Sequence, residues 1–195
     1  MSAEDVRTNG DGLQRLRALL REQGGLIATL LAPAGAAGET RAAVESLSSP
    51  AAVAAAGPRA AGRREEYELL VEAIYEGYLL HYGSPRLVRA AEADLGLLAG
   101  DQLYAIGLAR LVALGDTTAV AELADTITLS ALAHGRGEDG LADAVWAAGA
   151  RAVGWGSSDI HRHAKDLAFA GSSDAIAALR TSAAAAPTTR LYDSP

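Results

Sequence analysis

At 195 residues, with a formal charge of −7 and no cysteine, the chain is about one domain long and needs no covalent staple to bury a core. The missing cysteines remove disulfides, thiolate zinc sites and cysteine nucleophiles, and the acidic balance works against non-specific attraction to nucleic acid or an anionic membrane. Half of the residues are hydrophobic but only 5% are aromatic, which predicts close-packed helices of Ala, Leu and Val, an all-α bundle, and fits a reducing, cytoplasmic location.

The N-terminal segment, 1–32, is polar and acidic at its start, unlike a signal peptide. Asn9, Asp11 and Gly12 are cap-like before Leu13, Leu16, Leu19 and Leu20, which place one apolar stripe on a helix. Gly24 and Gly25 interrupt the pattern, and Leu26, Ile27, Leu30 and Leu31 resume it up to Pro33, so a kinked or broken helix is predicted. Residues 33–62 shift to Ala, Gly, Pro and Ser. They read as a mobile connection with a helical island at 39–47, stops at Pro50 and Pro58, and few side chains large enough to anchor a core.

The core domain, 63–183, opens with a helix over 63–82 whose Tyr67, Leu70, Val71, Ile74, Tyr75, Tyr78 and Leu79 form a wide buried face. Gly83, Ser84 and Pro85 end it, and Pro85 is placed to open a second helix over 86–114. That helix carries Leu87, Val88, Leu95, Leu98, Leu103, Ile106, Leu111 and Val112 on its apolar side and holds Gly96, Gly100 and Gly107 inside it. Three such glycines predict a surface where another backbone comes close. Thr117 or Thr118 is suited to cap a third helix running to Gly135, GRGEDG is a loop, and a fourth helix spans 141–153. Two short helices follow, capped at Ser157, Ser158 and Asp159 and at Ser172, Ser173 and Asp174, and 184–195 is a frayed tail. No repeat of fixed length emerges, and no uninterrupted apolar run approaches the roughly 20 residues of a membrane span.

The segment Leu95, Gly96, Leu97, Leu98, Ala99, Gly100, Asp101, Gln102, Leu103, Tyr104, Ala105 resembles the "AxLAGDxLLA" stretch of the polyprenyl synthetase family, the all-helical trans-isoprenyl diphosphate synthases. The order of features over 67–135 is similar as well. The resemblance implies a truncated isoprenoid-synthase-like bundle. It also implies that a magnesium-binding Asp-rich motif should close the first central helix, where this chain has Leu79, Leu80, His81, Tyr82, Gly83, Ser84, Pro85 and no aspartate. Glu138, Asp139 and Asp143 come too early and in a loop to stand for the second motif. Without carboxylates to hold magnesium against a diphosphate, ionisation of an allylic substrate loses its main electrostatic support. What the resemblance then implies is a non-catalytic partner subunit of a heteromeric prenyl diphosphate synthase, modulating activity or product length, with no cofactor or metal of its own. The alternative is a homo-oligomeric helical scaffold or regulatory protein unrelated to isoprenoids.

The candidate contact or pocket residues are Tyr67, Tyr75, Tyr78 and Tyr82, a ring concentration suited equally to a core, a pocket or an interface, together with Gly96, Gly100, Asp101 and Gly107. Glu72 and Glu76, one turn apart, have the spacing of metal-binding or acid–base carboxylates, but with Arg63, Arg64 and Glu68 nearby they read as a solvated face. Asp94 and Asp101, two turns apart, either share an inward face or serve surface and cap roles. His161 and His163 diverge by about 200° on a helix and cannot chelate from one face. His81 and His134 are isolated in sequence, and Ser157 and Ser158 read as caps.

Overall fold

The computed structural model describes residues 11–33 and 49–185, and among these it contains nine α-helices and no strand. Numbered in chain order they are α1 (Asp11–Gln23), α2 (Gly25–Thr29), α3 (Pro50–Ala56), α4 (Arg64–Tyr82), α5 (Ala93–Ala113), α6 (Thr117–Gly135), α7 (Asp139–Trp155), α8 (Asp159–Phe169) and α9 (Ala175–Ala184). The predicted all-α bundle is therefore what the chain forms. The predicted island at 39–47, the cap at Asn9 and most of the tail lie outside the described residues.

Helix α4 is the hub, packed by α5, α3 and α1, while α6 pairs with α7 and α7 in turn carries α9 and α3. Three apolar clusters follow from this arrangement. Tyr67, Leu70, Ile74 and Tyr78 meet Leu111, Leu123 and Trp146 at the centre. Leu16, Leu20 and Ile27 meet Leu87, Val88 and Leu103 on the α1 side, and Leu129, Val145 and Leu179 fill the space beneath α8 and α9. Against α4, helix α5 lies very close: a Cβ at Gly107 would stand 2.4 Å from Ile74 Cγ1, and one at Gly77 would stand 2.9 Å from the Gly100 carbonyl oxygen. The close approach predicted from the glycines of α5 is thus made within the chain itself, to α4.

Residues 50–60 depart from the reading as a loose connection. Pro50 opens α3, because a proline at the first helical position loses no hydrogen bond, and the Ser49 hydroxyl accepts from the Ala52 amide at 3.1 Å as the cap. Small side chains anchor this helix. Ala51, Ala54 and Ala60 are buried in the central cluster, and Gly57 lies so near α7 that its Cβ would fall 2.1 Å from the Gly154 carbonyl oxygen.

The second central helix begins at Ala93, seven residues later than Pro85 suggested. Arg86 and Leu87 form a bend that leads into Val88, with the Ala32 amide donating to the Leu87 carbonyl at 2.8 Å and the Arg89 amide to the Leu30 carbonyl at 2.7 Å. Leu31 and Val88 form the one isolated bridge among the described residues. Two smaller differences concern caps and loops. Asp116, not a threonine, caps α6 by accepting from the Ala119 amide at 3.0 Å, and Asp139 and Asp143 lie in the first turns of α7, not in a loop.

Candidate functional site

The end of α4 gathers most of the rings of the chain. Tyr75, Tyr78 and Tyr82, three and four residues apart, share one face, with centroids 5.7 Å apart at each step. Trp146 of α7 meets Tyr75 edge-on at 4.9 Å and Tyr78 at 5.1 Å. From the last turn of α6, His134 lies parallel to Tyr82 at 4.4 Å, with its Nε2 2.9 Å from the Tyr78 hydroxyl and its Nδ1 3.3 Å from Asp139. On the other flank His81 lies parallel to Tyr104 at 5.3 Å and its Nε2 is 3.2 Å from Asp101. His81 and His134, isolated in the sequence, are therefore brought to either side of Tyr82.

Burial, helped by the nearby Tyr75, Asp143 and Asp139, pushes the Tyr78 hydroxyl up to about 12, so it stays protonated and serves as a hydrogen-bonding group. Tyr82 is the rim, 42% exposed. Asp101 and Asp139 each meet a different histidine instead of converging, and among the described residues no three His, Asp or Glu side chains come together as a metal site. Tyr67 stands apart from the other tyrosines. At the start of α4 its hydroxyl donates to Asp116, which Arg59 also binds, and burial and that carboxylate push Tyr67 up to about 12. Gly100 and Gly107 face α4, whereas a Cβ at Gly96 would make only an ordinary contact, 3.6 Å from Ala90. Asp94 is exposed and does not share an inward face with Asp101, which is exposed too.

Glu72 and Glu76 are not a solvated face. Both are buried, Glu76 completely. Glu76 Oε1 accepts the backbone N–H groups of Arg86 at 2.7 Å, Leu87 at 2.6 Å and Val88 at 3.3 Å, while its Oε2 accepts Arg86 Nε at 3.1 Å. Arg86 also reaches Glu72, Nη1 to Oε1, at 2.7 Å and stacks over the Tyr75 ring at 5.1 Å. One guanidinium thus faces two buried carboxylates. Burial raises Glu72 above the usual carboxylate range, Arg86 opposes that and Glu76 adds to it. The chemistry is that of a latch: one carboxylate gathers three consecutive amides and fixes the chain between α4 and α5. Sequence reasoning missed it, although Glu72 and Glu76 share their side of α4 with Tyr75 and Leu79, an apolar context ill suited to a wet face.

A second buried network was also missed. His161 of α8 sits between the Ser182 hydroxyl, 3.0 Å from Nδ1, and Glu122, 3.0 Å from Nε2. Lys165 donates to Glu122 at 2.9 Å and to Asp125 at 2.6 Å. Burial alone would raise Glu122, but hydrogen bonds from His161 and Lys165 and the charge of Lys165 bring it down to about 2. The available signal was the pairing of Glu122 and Asp125 on one helix with His161 and Lys165, four residues apart, on another. Ser182, His161 and Glu122 are in hydrogen-bonding order, but all three are buried, so the serine has no access to a substrate and the network ties α6, α8 and α9 together. His163 is exposed, so it does not join His161. Ser158 caps α8, accepting from the His161 amide at 3.1 Å.

The outer face of α5 completes the list of features. Leu97, Leu98 and Val112 are 43%, 53% and 58% exposed. By length and composition α5 is the one helix among the described residues long and apolar enough to cross a membrane, although its inner face packs on α4. No protein-family model, curated protein or solved structure matches the chain.

Proposed function

We propose that the chain is a non-catalytic subunit that acts by contact with a catalytic prenyl diphosphate synthase, altering its activity or product length. The observation that carries the reading is the end of α4. Where the resemblance calls for aspartates, His81 and Tyr82 stand stacked on Tyr104 and His134, and the two buried carboxylates of α4, Glu72 and Glu76, are turned to Arg86. With these groups engaged with one another, none is left at the end of α4 to hold magnesium against a diphosphate, and the contribution of the chain lies in its surfaces. One such surface is the LAGD-bearing helix α5, with Leu97, Leu98 and Val112 exposed.

Co-expression with a prenyl synthase from the same genome tests the proposal. The expected outcome is co-purification together with a shift in product chain length or turnover relative to the synthase alone. Absence of both overturns it. The reading of a homo-oligomeric scaffold is favoured by one feature, the spacing of apolar residues on α5.

A further inference from the structure

Helix α5 is held rigidly on one side and bare on the other. Its inner face is seated on α4 through Gly100 and Gly107, whereas Leu98, Ala105, Ala109 and Val112 are exposed along its length. Leu98, Ala105 and Val112 are spaced by seven residues, which keeps them on one seam over about 21 Å of helix.

The seam is symmetric about its middle. Seven residues before Ala105 stands a large apolar side chain, Leu98, and seven after stands another, Val112, with the small Ala105 and Ala109 between them. The exposed charges on this face, Asp94 and Asp101, both lie in the N-terminal half. A parallel pairing of two such helices would set Asp101 against Asp101. An antiparallel pairing centred on Ala105 sets Leu98 against Val112 twice, Ala105 against Ala105 and Asp101 against Ala109, and it opposes the two helix dipoles favourably.

We propose that α5 is a self-association face, on which a second copy of this chain docks antiparallel about a twofold axis beside Ala105. The small central residues let the helices approach closely, and the large ones fill either end. A contact of this length falls at the low end of interface sizes, so the dimer is reversible and concentration-dependent. The inference goes beyond the subunit reading and does not require it.

The natural absence of cysteine makes the contact directly mappable. In A105C, mild oxidation should produce a disulfide-linked dimer, while Q14C, at an exposed site on α1, stays monomeric. Sedimentation across a concentration series should show a monomer–dimer equilibrium that L98D weakens at least about 100-fold, since each substitution strikes both symmetric contacts. Leu98 is exposed in the single chain, so L98D keeps the helical circular dichroism of the parent. The proposal is overturned if A105C cross-links no faster than Q14C, if the chain sediments as a monomer throughout, or if it floats with anionic vesicles as a monomer that L98D releases. A monomeric chain that still changes the products of a synthase removes the dimer and leaves the subunit reading standing. A dimer that alters no synthase does the reverse.

Discussion

Replacing Glu76 tests the latch between α4 and α5. The side chain is fully buried and its carboxylate accepts four hydrogen bonds, three from consecutive backbone amides and one from Arg86. Glu76→Ala strands those amides and leaves Arg86 with Glu72 alone. Breaking a buried ion pair from one side costs about 3–5 kcal/mol, so E76A should lose about 4 kcal/mol, a large part of the stability of a domain. Glu76→Gln keeps an oxygen for the three amides but turns an NH2 group toward Arg86 Nε. It should lose about 2 kcal/mol, the scale of one charge-assisted hydrogen bond, and about 6 °C in Tm. Equilibrium urea unfolding measures both, and hydrogen exchange should show the Leu87 and Val88 amides deprotected in E76A beyond the global change. Glu72→Gln is the contrast. The folded Glu72 carboxyl titrates above its ordinary value, through burial first, so its stabilising contribution is present below pH 4.5 and lost as pH rises through the folded value. E72Q should therefore be at least as stable as the parent at pH 8. An E76A protein within about 0.5 kcal/mol of the parent, or an E72Q as damaging as E76Q, would refute the role of Glu76 as the latch and the raised titration of Glu72.

Two further outcomes are expected. Glu122, brought down to about 2 from an ordinary 4.5, contributes stability present above pH 4.5 and lost as pH falls toward 2. The gap corresponds to about 3 kcal/mol, and acid titration of unfolding free energy should lack that part of the acid limb in E122Q. On α5, G107A forces a Cβ to within 2.4 Å of Ile74 and 3.0 Å of the Leu70 carbonyl oxygen and should cost about 1–3 kcal/mol in urea unfolding. G96A, with only an ordinary contact at 3.6 Å, should be neutral or stabilising by up to about 1 kcal/mol.

Helices were legible wherever periodicity and local signals agreed. Apolar residues three and four apart marked α4 and α6, and the serine ahead of α8 is the cap it resembled. Alanine-rich α3 was underestimated because a periodicity argument weights large side chains, whereas Ala51 and Ala54 bury fully by letting backbones come close. The tyrosines of α4 were found as a group, but their separation was not. Tyr75, Tyr78 and Tyr82 join Trp146 and His134 at one end, while Tyr67 goes to Asp116 at the other, and the partners that divide them lie 49 to 71 residues further along the chain.

The charged residues of α4 expose the deeper limit. A sequence states the angle of Glu76 around its own helix, yet whether that angle faces water depends on where the following segment runs. Local rules sent that segment into a helix, since Pro85 has the φ that a first turn wants. The amides of Arg86, Leu87 and Val88 had two possible fates: the open N–H groups of a helix start, or a buried carboxylate ten residues earlier. Three amides on one carboxylate, with Leu87 and Val88 sealed into the α1 cluster, outweigh a helix start whose first N–H groups would have had no acceptor. The delayed start of α5 and the burial of Glu76 are thus one event. A variant that frees those amides should extend the helix toward Pro85 instead of merely loosening the loop. In E76A the exchange of the amides of residues 90–92 separates these outcomes, because new helix protects them and a loosened loop does not, while Leu87 and Val88 stay open in both.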